Sequence, residues 1–176
     1  MQTRLANLSD AAAIARIYNQ GINDRIATFE TRHRSAADIE KWFDGEHPIV
    51  VVESDGEVVA FASTSTYRPR ECYVGVAEYS VYVEREHRGK GAGRAALVGL
   101  IEAAERAGFW KLVSRIFPSN RASIELALRV GFRVVGTYEK HGRLDGKWLD
   151  VVIVERLIGP NIRDAEGSII LPSDDH

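Results

Sequence analysis

Glycine at every second position is the feature that most restricts this chain. In Arg88-Gly89-Lys90-Gly91-Ala92-Gly93-Arg94 the backbone is freed at alternate residues, with cations around them. The stretch before it, Tyr79-Ser80-Val81-Tyr82-Val83, is aromatic and β-branched and reads as a strand. After it, Leu97, Leu100, Ile101 and Ala104 recur at three- and four-residue spacing and read as a helix. Strand, glycine loop and helix N-terminus together make an anion site. The first helical turn leaves amide N–H groups unpaired, and the aligned peptide dipoles put positive potential there. Glycines let successive N–H groups converge on one phosphate. The sequence therefore predicts a pyrophosphate held by residues 88–94. The spacing is not that of the triphosphate loop, and it lacks the third, wider-spaced glycine of the dinucleotide fingerprint. Such a loop also occurs as a plain tight connection, so the rest of the chain has to decide.

At 176 residues the chain is long enough for one domain with a substantial core. Its net charge of −2 gives no reason to expect nucleic acid or an anionic membrane as partner. No apolar run approaches a bilayer span, and none follows Arg4, so no secretory leader is expected. A single cysteine, Cys72, excludes an internal disulfide and a cysteine-based metal site, and the histidines lack ligand spacing. The expectation is a cytoplasmic protein without a metal.

In order, residues 2–6 read as a strand and Ser9 as the cap of a helix that Gly21 ends, with Ile14, Ile17 and Tyr18 inward. Ser35 and Asp38 have capping-box spacing and start a second helix, with Ile39, Trp42 and Phe43 inward and Gly45 at its end. Strands 48–54 and 57–66 flank Asp55-Gly56, a two-residue hairpin signal. Residues 67–73 are a loop, 76–83 a strand, and the helix after the glycine loop runs to Ala107. A strand at 111–117, a helix from Asn120 to Gly131, and strands 132–143 and 147–157 around Asp145-Gly146 complete the pattern. This order predicts an α/β fold, a mixed, mostly antiparallel sheet of six to seven strands flanked by about four helices. Residues 1–158 form one domain. Residues 159–176 read as a tail, flexible or packed on a partner.

Arg-Gly-x-Gly-x-Gly resembles the coenzyme A loop of the GCN5-related N-acetyltransferase (GNAT) superfamily. Asn120 followed by a helix that ends in Gly131-Phe132 is similar to that family's second coenzyme element, and the element order agrees. A closer resemblance, to the phosphinothricin N-acetyltransferase branch, rests on Thr28-Phe29-Glu30, Arg68-Pro69-Arg70 with Tyr73, Glu78-Tyr79-Ser80-Val81-Tyr82-Val83 and Gly146-Lys147-Trp148-Leu149-Asp150-Val151. Arg115-Ile116-Phe117 and Tyr138 to Gly142 look most like the arsinothricin subset. The resemblance implies acetyl-CoA as cosubstrate, a small glutamate-like amine as acceptor and a homodimer.

It also implies roles. Glu78 is the candidate base, beside the apolar run of the central strand; the alternative is a strand glutamate facing water or paired with an arginine. Backbone groups of Val81, Tyr82 and Val83 would serve the acetyl group and the pantetheine arm. Residues Arg88, Gly89, Lys90, Gly91, Ala92, Gly93 and Arg94 would hold the pyrophosphate, with Asn120 and Ser123 on the pantetheine. Arg68 and Arg70 would bind the acceptor's anionic groups in paired geometry, with Phe29 and Tyr73 as walls. Where the branch carries a histidine and the wider family a tyrosine, this chain has Ala127, which donates no proton; Ser123 and Tyr138 are weak substitutes. Two alternatives stay open. One is a different amine acceptor, such as a polyamine, an aminoglycoside or a protein N-terminus. The other is a coenzyme-A-binding module without catalysis.

Overall fold

The computed structural model describes residues 1–164 and 166–169. Its strands and helices follow the expected order: β1 (Gln2–Leu5), α1 (Ala11–Asp24), α2 (Ala36–Glu40), β2 (Ile49–Ser54), β3 (Glu57–Thr66), β4 (Val76–Val83), α3 (Ala92–Arg106), β5 (Lys111–Ile116), α4 (Arg121–Arg129), β6 (Arg133–Leu144) and β7 (Lys147–Leu157). The strands form one seven-stranded sheet in the order β1-β2-β3-β4-β5-β7-β6. Hairpins join β2 to β3 and β6 to β7, while the antiparallel pairs β1–β2 and β5–β7 are linked through helices. The β4–β5 pair is parallel and needs a crossover, which α3 supplies.

Both faces of the sheet are covered, which explains the unbroken apolar run of β2. Ile49 and Val51 pack with Phe61 against Ile14, Ile17, Tyr18 and Ile22 of α1 and Ile39 of α2. Val50 and Val52 point the other way, toward Ala96, Leu97, Leu100 and Ala104 of α3. A smaller cluster of Phe117, Leu144 and Val151 sits under the β6–β7 hairpin, with Phe29 against it. Both hairpin signals form turns with positive φ at each central residue, Asp55 (51°) and Gly56 (80°), then Asp145 (50°) and Gly146 (80°). No helix among the described residues is long and apolar enough to cross a membrane.

Three local expectations change. The first cap is Asn7 rather than Ser9. Asn7 Oδ1 accepts the Ser9 N–H at 3.0 Å while Asp10 Oδ2 accepts the Asn7 N–H at 2.9 Å, opening a short 3₁₀ turn before α1. Gly21 does not end α1, which runs one turn further to Arg25 in the left-handed region (φ 57°). The glycine serves packing instead: a Cβ there would lie 2.6 Å from the Tyr82 ring. The capping box at Ser35 and Asp38 is present, but its helix is one turn long, with Trp42 and Phe43 half-buried beyond it. Of the expected tail, residues 165 and 170–176 lie outside the described residues. Asn161 donates its side-chain amide to the carbonyls of Glu105 (2.8 Å) and Phe109 (2.7 Å).

Gly21→Val is expected to lower stability by about 1–3 kcal/mol, because the added side chain overlaps the half-buried Tyr82 ring and must push it off α1. Urea unfolding of the two proteins, read by tyrosine and tryptophan fluorescence, checks this.

Candidate active site

The site begins where β4 and β5 part. They pair through Val76–Lys111, Ala77–Leu112 and Glu78–Val113, and then the ladder stops, although β4 continues to Val83 and β5 to Ile116. At the fork Ser114 Oγ donates to the Tyr79 carbonyl at 3.0 Å. On its other edge β4 stays paired with β3 from Ala77 to Val83. The free edge of β4 past the fork thus offers backbone N–H and C=O groups to a strand-like ligand. A narrow cavity of about 50 Å³ fills the fork, lined by Tyr79–Tyr82, Ser114–Ile116, Asn120 and Ser123.

One end of the fork opens on the glycine loop. A cavity of about 390 Å³ is lined there by Val81, Tyr82, Val83, Arg88, Gly89, Gly91, Gly93, Arg94, Asn120 and Ser123. Gly89 (φ 74°) and Gly91 (φ 89°) occupy conformations that side chains disfavour, and Gly91 caps α3. Gly93 is there for closeness, since a Cβ would stand 3.3 Å from Val83 Cγ2. The amides of the first turn of α3 therefore meet this cavity without side chains in the way, which fits a pyrophosphate. Asn120 caps α4, its Oδ1 accepting the Ser123 N–H at 3.4 Å.

Not every residue of the loop is aimed at a ligand. Arg88 donates from Nε to the Val83 carbonyl at 3.2 Å and pairs with Asp24 at 2.7 Å. Lys90 donates to the Glu86 carbonyl at 3.0 Å and Ala92 is buried in the core. These contacts shape the loop; Arg88 also lines the cavity, together with Arg94 and Arg129. The loop is also tied to α1. Glu84 accepts hydrogen bonds from Gln20 Nε2 (3.1 Å) and lies 3.0 Å from His87 Nδ1, while Arg85 reaches Asp24 at 2.8 Å. The His87 and Gln20 hydrogen bonds hold the Glu84 carboxyl at about 2, against an ordinary 4.5.

The other end of the fork opens on Glu78. A cavity of about 340 Å³ there is lined by Glu78, Phe29, Thr28, Glu30, Tyr18, Arg115 and Phe117, and it shares Tyr79, Ser80, Tyr82, Ser114 and Arg115 with the fork. Glu78 is half-buried, but its neighbour is not an apolar wall. Arg115 donates to its Oε2 at 3.1 Å. Phe29 stands edge-on to Phe117 at 4.8 Å and lies over Gly142, where a Cβ would come within 2.7 Å of its ring. Phe29 is both core and cavity wall.

The expected acceptor set is divided by the fold. Arg68, Arg70 and Tyr73 lie on the exposed loop after β3 and line none of these cavities. Arg68 lies over the Tyr67 ring at 4.8 Å, and Tyr73 meets Tyr67 edge-on at 5.7 Å, so the loop packs on itself. Ala127 is fully buried in the main core rather than facing the fork, and Tyr138 is exposed beside His141. Of the two weak substitutes, Ser123 reaches the fork. Sequence reasoning missed Arg115, Ser114, Tyr18, Thr28 and Glu30 as cavity residues. Arg115 carried a weak signal: it is a charged residue well inside a strand, but its partner is 37 positions away.

Comparison with known proteins agrees with this geometry. The profile of the "Acetyltransferase (GNAT) family" matches residues 15–132. This chain belongs to that family. Its acetyltransferase fold spans the sheet, the fork and both cavities. An L-methionine sulfoximine/L-methionine sulfone acetyltransferase from Pseudomonas paraeruginosa is 35% identical over 162 residues, covering 89% of this chain and 94% of that protein. A phosphinothricin N-acetyltransferase from Alcaligenes faecalis is 32% identical, covering 87% of this chain and 80% of that one. The crystal structure of a phosphinothricin acetyltransferase from Sinorhizobium meliloti in complex with acetyl-CoA superposes with a TM-score of 0.84 at 30% identity, covering 99% and 94% of the two chains. The chain is an N-acetyltransferase, and the expected α/β fold is the one it adopts.

Two outcomes follow for this acetyltransferase. Gly91→Ala strains the positive-φ cap, and it is expected to raise KM for acetyl-CoA about tenfold, read by thiol release. Glu84 contributes stability that is complete above pH 4.5 and lost as pH falls toward 2, because its folded carboxyl is the more acidic. Glu84→Gln should unfold at lower urea at pH 7, with the gap shrinking as pH falls from 4.5 toward 2; a gap as large at pH 2.5 as at pH 7 contradicts the assignment.

Proposed function

We propose that this enzyme transfers the acetyl group of acetyl-CoA to the α-amino group of a small amino acid analogue of the methionine sulfoximine or phosphinothricin type. The observation that carries the reading is the fork itself. An unpaired strand edge joins a cavity on the glycine loop to a cavity on Glu78. The curated relatives supply the acceptor class, since they carry it in their names over most of this chain's length.

The residues divide the work. Amides of residues 89 and 91–94, with Arg94, hold the pyrophosphate; Arg88 and Lys90 keep the loop in shape. The free edge of Val81, Tyr82 and Val83 pairs with the amide-rich pantetheine arm, and Asn120 and Ser123 flank it. The same edge directs N–H groups at the thioester oxygen, where negative charge develops. The acceptor's amine enters from the other side. It attacks the carbonyl carbon, the carbon–sulfur bond breaks, and the proton lost from nitrogen passes to Glu78 directly or through one water. An α-amino group titrates near ~8, so a carboxylate suffices for this step. Arg115 holds one oxygen of Glu78 and leaves the other free. The departing thiolate has a conjugate acid near ~8.5 and needs no strong acid, so Ala127 is compatible with turnover.

Two further features belong to this proposal. A homodimer is supported by β6, an exposed edge strand bearing Val134, Val135 and Tyr138, with Trp148 exposed on β7 opposite Arg143. A reducing compartment, the cytoplasm, is supported by the exposed thiol of Cys72 and by the need for acetyl-CoA.

Glu78→Gln is expected to lower kcat about 10²-fold or more while acetyl-CoA binds as before. Thiol release with L-methionine sulfoximine and L-phosphinothricin, beside calorimetry with acetyl-CoA, measures both. Wild-type turnover of neither acceptor, with acetyl-CoA bound, would sink the acceptor assignment.

A further inference from the structure

The acceptor cavity does not end at Glu78. A second cavity of about 550 Å³ shares Tyr18, Glu30, Ser65, Ser80 and Tyr82 with it and continues to Arg34, Lys41 and Asp44. Ser65 faces Glu78 across the β3–β4 ladder and lines both cavities. A ligand with its amine at Glu78 has room for its far end here. In a γ-substituted amino acid the amine and the distal atom are four bonds apart, about 5 Å when extended. The four residues of β3 along this cavity, 63–66, span about 10 Å. The second cavity is within reach of a small acceptor's distal group.

Arg34 is built into this cavity. Its backbone is clamped on both sides by Asn19, which accepts its N–H at 2.8 Å and donates to its carbonyl at 2.9 Å. Its guanidinium donates to Glu30 Oε2 at 2.9 Å and to the Arg32 carbonyl, and lies 5.9 Å over the Tyr18 ring. The side chain is only 15% exposed. A guanidinium carries five N–H donors, so donors remain for a ligand oxygen. Glu30 is itself held, its N–H donating to Thr28 Oγ1 at 3.1 Å. The Thr28-Phe29-Glu30 motif therefore builds the cavity three ways: a turn, an aromatic wall and a counter-ion.

The charge count decides what such a subsite prefers. Across the two cavities Arg34, Lys41 and Arg115 are balanced by Glu30, Asp44 and Glu78. Asp44 is occupied, accepting the N–H groups of Glu46 and His47 and lying 2.6 Å from His47 Nδ1. An α-amino acid brings its carboxylate and amino group into this neutral site, the amino group at the Glu78 end. A second anion at Arg34 would meet the Glu30 carboxylate and be repelled. An uncharged oxygen accepts the guanidinium's free N–H groups without that cost.

We propose that Arg34 and Glu30 form the subsite that reads the acceptor's distal group, and that they select an uncharged sulfone or sulfoximine oxygen over an anionic phosphinate. The inference rests on the cavity at Glu78 being the acceptor site. Arg34 supplies the hydrogen bonds and Glu30 supplies the repulsion, so attraction and exclusion come from different residues.

The test is kcat/KM for L-methionine sulfone and L-phosphinothricin with wild-type enzyme, Glu30→Gln and Arg34→Met. Wild type is expected to prefer the sulfone about tenfold or more, and Glu30→Gln to narrow that ratio by about tenfold. Arg34→Met is expected to lose about tenfold or more on the sulfone, through KM. Glu30→Gln keeps the side chain's shape, and its thermal midpoint confirms folding, so the ratio stays readable if Arg34→Met is unstable. A wild-type preference for the phosphinate, or a ratio that Glu30→Gln leaves unmoved, overturns the subsite while the acceptor reading stands. Turnover of neither acceptor by wild type overturns both.

Discussion

A sheet ordinarily leaves no backbone amide unpaired in its middle, because a buried N–H or C=O without a partner costs free energy comparable to a lost hydrogen bond. Here β4 and β5 exchange bonds over three residue pairs and then separate, inside a sheet whose seven strands run continuously from β1 to β6 apart from local bulges. Both cavities of the site open from that one interruption. The cost of the gap is limited by Ser114, whose hydroxyl satisfies the Tyr79 carbonyl at the fork, and by β3, which keeps the other edge of β4 fully paired. A flexible opening would present the edge in many geometries. This one is set by strands buried on both faces.

The glycine loop depends on that rigidity. Its amides converge only if α3 starts at a fixed angle to the end of β4, and the polar ties to α1 supply the constraint. Gln20, Asp24, Glu84 and His87 bind the segment before the loop to the helix on one face, while Gly93 lets α3 approach Val83 on the other. Charges that read as phosphate ligands in sequence therefore serve two ends. Arg88 and Lys90 hold the carbonyls of Val83 and Glu86, and Arg88 and Arg94 both line the cavity.

Much of this was legible beforehand. The period of the apolar residues placed every strand and helix, because burial on one stripe or both faces leaves a pattern that composition alone does not. The turns at Asp55-Gly56 and Asp145-Gly146 were legible for a different reason, since few dipeptides tolerate positive φ at both positions. The misreadings share one cause. Gly21 was taken for a helix stop when it makes room for a ring 61 positions on, and the arginine partner that stayed open as an alternative for Glu78 could not be named as Arg115. Arg68 and Arg70 have the residue type an anionic substrate wants; they line none of the cavities described, and Arg68 lies over the Tyr67 ring of its own loop.

By itself the sequence determined what short-range chemistry can determine: element order, caps, hairpins, and an anion loop between a strand and a helix. All of these depend on residues within a few positions of one another. Which charged side chains share a cavity was decided by tertiary structure alone. The parallel β4–β5 pairing and the packing of α1 over the sheet bring Glu78 to Arg115, and Glu30 and Arg34 to the same hollow. The Glu30–Arg34 pair is itself local. The contact of Glu78 with Arg115, and the sharing of one hollow by residues of α1, β3 and β4, follow from how the sheet closes, and no local pattern of residues encodes them.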